Sequence, residues 1–135
     1  MKFQLILRYA SVPVIISLVI LYLCCLIPPN DIPDVGFEFL IPTDKIVHFL
    51  MYMGLSGATA FNYIHAKRGH INMLKLLVFA FAFPILYGGL IEIIQHYYFP
   101  PRSGDWFDFL ADALGALSAL PFAFIFRNYL IKRSL

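Results

Sequence analysis

The chain has 135 residues, 61% hydrophobic and 13% charged, with a mean hydropathy of +0.78 and a formal net charge of +2. Soluble domains carry about 25% charged residues, so this chain lacks the polar groups to cover a surface facing water, and a membrane protein follows. No basic tail or aromatic–basic interleaving is present, which excludes a nucleic-acid partner, and the length suits several spans in a single domain, 1–135.

Four segments reach the roughly 20 apolar residues that a helix needs to cross the hydrocarbon core. The first, about residues 9–27, reads YASVPVIISLVILYLCCLI and stops at Pro28-Pro29. Its run is longer than a signal-peptide core and no A-x-A-like site follows, so it reads as a retained helix. Cys24 and Cys25 are adjacent and have no other cysteine to join, which argues against a structural disulfide. They read as small apolar residues facing lipid or core. The connection that follows, PPNDIPDVGFEFLIP, mixes acids with Phe37, Phe39, Leu40 and Ile41. It reads as an interfacial connector, a lid over a pocket or a docking strip for a partner protein.

The second span, about 45–64, starts beside Thr43 and Asp44, either of which can cap it. The third, about 73–99, contains Pro84 and Gly88-Gly89, where a kink is expected, and ends at Pro100-Pro101. The fourth, about 106–126, holds Pro121 near its far end. The expected fold is an all-α integral membrane bundle of four transmembrane helices. All ten basic residues except Lys45 and Arg102 flank one side of these spans, which places both termini inside, in a multi-pass N-in/C-in topology. All eight acidic residues fall in outer loops or outer half-spans. Acids contribute little to the charge rule for orientation, so their segregation calls for an outward-facing site.

Each outer helix end carries a polar stripe. Asp44, His48 and Tyr52 share one face of the second helix at i, i+4, i+8, with Lys45 beside them. Glu92, Gln95, His96 and Phe99 follow i, i+3, i+4, i+7 on the third, and Asp105, Asp108 and Asp112 follow i, i+3, i+7 on the fourth. Ionisable groups at membrane depth cost roughly 2.5–3.5 kcal/mol each on insertion scales, so Glu92 and Asp112 must face protein or a wet cavity and pair. Ala111, Gly115 and Ala119 form a row of small residues on the fourth helix that lets backbones approach. Tyr97, Tyr98 and Trp106 read as interfacial anchors, and His65 and His70 as solvated.

The stretches DKIVHFLMYMGLS and EIIQHYYFPPRSGDWFDFLADALGA resemble the VanZ-like family of small bacterial membrane proteins. That family is similar in its Asp-Lys-x-x-His-Phe-x-x-Tyr helix start, its Glu-x-x-Gln, its Pro-Gly-Arg-like turn and its Asp-x-x-x-Asn-x-x-Gly. The matching positions are Asp44, Lys45, His48, Tyr52, Glu92, Gln95, Arg102, Asp108 and Gly115, within a resemblance running from about Pro42 to Ala119. Two departures are Pro101 where glycine is usual and Asp112 where asparagine is usual. The resemblance implies a bacterial cytoplasmic (inner) membrane protein of the cell envelope, linked to glycopeptide antibiotic tolerance, teicoplanin in particular. It supplies no reaction.

The expected binding set is therefore Asp44, Lys45, His48, Tyr52, Glu92, Gln95, Arg102, Asp105, Asp108 and Asp112. Lys45 and Arg102 would suit a phosphate-bearing headgroup of a membrane lipid or lipid-linked envelope precursor. His48, Glu92 and Asp108 are the candidates for acid–base chemistry, with His96 an alternative base. No nucleophile is evident, since Ser103 lacks a base, and catalysis is left open. No compact ligand motif such as H-E-x-x-H is present and no resident cofactor is expected. His48, His96, Glu92, Asp105, Asp108 and Asp112 are the donors that a divalent ion such as Zn or Mn would use. A noncatalytic helper binding a partner protein, and an ion-pair network that only joins helices, are the other readings.

Overall fold

The computed structural model describes residues 2–27 and 42–134, with side chains from residue 10 in the first stretch. The lid or docking strip expected after the first helix lies outside the described residues over 28–41, as do Asp31, Asp34 and Glu38. The described residues form helices and no strand. Helix α1 covers Lys2–Leu21 and continues into a wider turn at Tyr22–Leu26. Helix α2 covers Thr43–Ala66, α3 covers Met73–Tyr98 and α4 covers Trp106–Arg133. Of these, α3 and α4 are long and apolar enough to cross a membrane, and Ala10–Leu26 is a shorter apolar stretch.

Helix α3 departs from ideal geometry where the sequence withholds a backbone N–H. Proline at position 84 can neither donate to Ala80 nor let its ring pass that carbonyl. The ladder widens one turn earlier, over Val78–Ala82, where the Phe83 N–H reaches back five residues to Val78. The irregularity expected around Pro84 and Gly88-Gly89 thus sits ahead of the proline, and Gly88-Gly89 lie in regular helix. In α4 the regular stretch pauses at Ala119, so that Pro121 falls in the first turn of Leu120–Arg133. The helix runs seven residues beyond the apolar span ending at 126, where Arg127, Leu130, Lys132 and Arg133 favour helix whatever their polarity.

One expected cap is not made. Helix α2 begins at Thr43, with Pro42 as the capping residue and no side-chain cap bond. Asp44 turns to Lys45 instead, 3.3 Å away. By contrast, Asn72 caps α3 by accepting from the Lys75 N–H at 3.0 Å, and Asp105 caps α4 by accepting from the Phe107 N–H at 2.8 Å.

Packing centres on α2 against α4. A β-carbon on Gly115 would overlap the Phe49 carbonyl, and Gly57 faces the Ala119 methyl at 3.9 Å from where its own would sit. The expected row of small residues is thus the seam of the bundle. Two apolar clusters fill the interior. One, around Ala60, Ile64, Leu76, Phe81 and Ala119, lies toward the end where α2 stops and α3 starts. The other, around Ile20, Cys24, Cys25, Tyr52, Leu55 and Ile91, lies toward the opposite end. Both cysteines are buried and free. Outside, Leu74 and Leu86 are 71% exposed while Asp112 inside is 0% exposed, an inversion of the usual order in water.

Candidate functional site: a carboxylate crevice and its groove

The start of α2, the end of α3 and the start of α4 meet at one end of the bundle. Their polar stripes face one another there. Lys45 Nζ lies 2.9 Å from Asp105 Oδ2 and 2.8 Å from Asp108 Oδ1, besides its neighbour Asp44. One helical turn deeper, His48 Nδ1 lies 2.9 Å from Asp112 Oδ1 and 3.8 Å from Glu92 Oε1. Glu92 Oε2 accepts the Asp105 N–H at 2.9 Å, which ties α3 to the cap of α4. His48, Glu92 and Asp112 are all buried. The second oxygen of Asp112 lies against Gly88, where a β-carbon would come within 2.7 Å of it. The Lys45 ammonium, followed by the Phe107 N–H, holds the Asp105 carboxyl below the usual carboxylate range.

Of the ten expected binding residues, the structure brings six into this crevice: Lys45, His48, Glu92, Asp105, Asp108 and Asp112. The other four stand apart from it. Asp44 is at the rim, with its side chain 56% exposed and only Lys45 in reach. Tyr52 is fully buried below, packed near Tyr87 in the apolar cluster. Gln95 Nε2 donates to the Cys24 carbonyl at 2.6 Å, and Arg102 donates to the Ile27 carbonyl at 2.5 Å. These two side chains join α3 and the following turn to α1. Their acceptors exist because the wide turn at Tyr22–Leu26 and the helix end leave carbonyls free. Neither expected phosphate-binding cation is directed at open space: three carboxylates surround Lys45, and Arg102 is committed to α1.

Beside the crevice runs a groove of about 480 Å³ between the end of α3 and the start of α4. Gly89 and Phe109 close one end of it, and Glu92, His96, Gly104 and Asp105 form the other. Ile93, Tyr97 and Trp106 complete its walls. His96, an alternative base in the sequence reading, is exposed and meets the Tyr97 ring edge-on. The groove went unseen in the sequence. Tyr97 and Trp106 read as membrane anchors, and Gly89, Ile93 and Phe109 as ordinary span residues; only the crossing of α3 and α4 turns them toward one space. Tyr87 was also missed. It donates to the Ser17 carbonyl at 2.6 Å and makes a third tie to α1.

Comparison with protein-family models, with curated proteins and with solved structures finds no match to this chain.

Proposed function

We propose that this protein crosses the bacterial cytoplasmic membrane four times with both ends inside, and that its crevice and groove hold an amphiphilic envelope lipid or lipid-linked precursor at the outer face. The helices supply the length, the apolar exterior supplies the lipid contact, and the lone basic residues Lys45 and Arg102 against the basic far end supply the orientation. The VanZ-like resemblance supports the setting, an envelope protein that raises tolerance to glycopeptides such as teicoplanin.

The observation that carries the reading is the groove's two-sided lining. A wall of Gly89, Ile93 and Phe109 suits a hydrocarbon tail, and Glu92, His96 and Asp105 stand where a headgroup would lie. Neither Lys45 nor Arg102 lines the groove, and the polar side chains at its headgroup end are the carboxylates of Glu92 and Asp105 and the imidazole of His96. They fit the hydroxyl or amino donors of a sugar or amine. The reading is one of binding and assigns no reaction.

Purification in a lipid-preserving polymer, followed by mass spectrometry of the extracted lipid, tests it. The wild type should carry an amphiphile enriched over bulk membrane, and Ile93→Trp, at a half-exposed wall position, should lose it at normal abundance. A wild-type lipid complement identical to bulk membrane would end the proposal.

A further inference from the structure

The crevice has more negative charge than its own cations offset. Glu92, Asp105, Asp108 and Asp112 converge there, and the facing groups are the Lys45 ammonium and the His48 imidazole. Lys45 serves the outer pair, Asp105 and Asp108. The inner pair, Glu92 and Asp112, has only the imidazole. At this depth an uncompensated carboxylate is costly, so the inner layer calls for a bound proton or a further positive charge.

The donors are arranged for a specific form of that charge. One ligand atom each from His48, Glu92 and Asp108 lie within 4.8 Å of one another. With metal bonds of about 2.1 Å, tetrahedral ligand atoms stand roughly 3.4 Å apart, so side-chain adjustments of up to about 1.4 Å close the set. Glu92 provides the second, independent sign. Its side chain is only 8% exposed. One oxygen holds the Asp105 N–H, while the other, Oε1, is buried with no hydrogen-bond partner and faces His48. Lys45 takes Oδ1 of Asp108, and a carboxylate has a second oxygen to give. Asp112 stands behind the imidazole at 2.9 Å, the carboxylate–histidine pairing that fixes the ring of a metal-bound histidine.

We infer that His48, Glu92 and Asp108 form a binding site for a divalent transition ion, with Asp112 orienting the imidazole. One nitrogen and two carboxylates suit Zn²⁺ or Mn²⁺ over softer ions, and the two buried thiols of Cys24 and Cys25 are not in the set. Three protein ligands leave a coordination position open, and Glu92 belongs to both the ion site and the groove wall. Glu92 is therefore the residue that the ion site and the groove share. The site stands on its own residues and does not depend on the groove's occupant.

The test uses the full chain in detergent, stripped of metal with a chelator and exchanged into clean buffer. Equilibrium dialysis against Zn²⁺ or Mn²⁺, with elemental analysis, should give one ion per chain. Glu92→Gln and Asp108→Asn should each bind at least tenfold more weakly, Asp112→Asn about 10–100-fold more weakly, and Lys132→Gln, exposed at the far end of α4, as the wild type does. Because the buried substitutions can unfold the chain, a second protein keeps the site intact. The triple variant His65→Gln, His70→Gln, His96→Gln leaves His48 as the sole imidazole of the four in the chain. Loaded with Co²⁺, it should show the visible absorption and the paramagnetically shifted ring protons of one coordinated histidine. Substoichiometric binding by the wild type, or a Co²⁺ complex without imidazole signals in the triple variant, overturns the inference and leaves His48 as an ion-pair partner of Asp112 alone.

Discussion

Asp112 shows how one residue constrains its neighbours. Its Oδ1 is held by His48 and its Oδ2 is pressed toward Gly88, so the carboxylate fills a slot between α2 and α3 that no larger group could share. Gly88→Ala would place a methyl 2.7 Å from Oδ2 and 3.1 Å from the Asp112 β-carbon. Overpacking of this kind costs about 1–3 kcal/mol. The expected outcome is a lower thermal unfolding midpoint in detergent, largely restored in Gly88→Ala with Asp112→Ser, where the shorter side chain makes room. A midpoint unchanged in the single variant would mean the slot is looser than drawn. Lys45 makes the corresponding case at the outer layer, since its ammonium alone separates Asp105 from Asp108. Lys45→Met should destabilise by about 1–3 kcal/mol, the range for hydrogen bonds to charged groups. Lys45→Arg should recover part of that, and the same unfolding measurement ranks the two.

At the level of helices, α1 is attached to the rest through its own backbone. Tyr87, Gln95 and Arg102 donate to the carbonyls of Ser17, Cys24 and Ile27 in turn, a ladder of side chains along one edge of α1. Removing one rung by Gln95→Leu should cost about 1 kcal/mol. Exchange of amide hydrogens over Tyr22 to Ile27 should then rise about fivefold, read by hydrogen–deuterium exchange mass spectrometry, with α4 unaffected. Equal exchange in the variant would show that the rung carries no weight. These attachments mark the boundary of what could be read in the chain. That Gln95 shares a face with Glu92 follows from helical spacing, and the face does turn inward. What Gln95 meets there could not be read, because the one hydroxyl of YLCCL, on Tyr22, is exposed and the acceptor is a carbonyl released by a widened turn. The same limit applies to Arg102, whose charge pointed to an anion while its geometry found a backbone oxygen. The pairs within the crevice were more legible, since Lys45, His48, Asp108 and Asp112 are spaced along helices whose periodicity fixes which side chains face alike.

Across the whole molecule, apolar length misplaced the start of α1, which lies at Lys2 rather than about residue 9, and the end of α4, at Arg133 rather than 126, and set the other helix ends within about two residues, because hydropathy reports the lipid-facing part of a helix and hydrogen bonding its full extent. Charge asymmetry bears on the side of the membrane that the crevice faces. Among the described residues, the crevice end carries Lys45, Arg102, Asp44, Glu92, Asp105, Asp108 and Asp112, and the opposite end carries Lys67, Arg68, Lys75, Arg127, Lys132 and Arg133. Each Lys or Arg near a span end favours retention on the cytoplasmic side, so the imbalance predicts the crevice outside. With Cys24→Ser and Cys25→Ser as background, single cysteines can be placed at Thr43 and Ser103 on the crevice end, and at Ala10, His70 and Ser134 on the other. A membrane-impermeant maleimide applied to intact cells should label the first pair and reach the other three only after the membrane is opened. Labelling of Ala10→Cys from outside would mean that α1 does not cross, and labelling of His70→Cys would say the same of α2. A fully reversed pattern would turn the carboxylates toward the cytoplasm, where an outer-leaflet lipid could not reach them. The orientation therefore decides which pool of molecules the groove can sample at all.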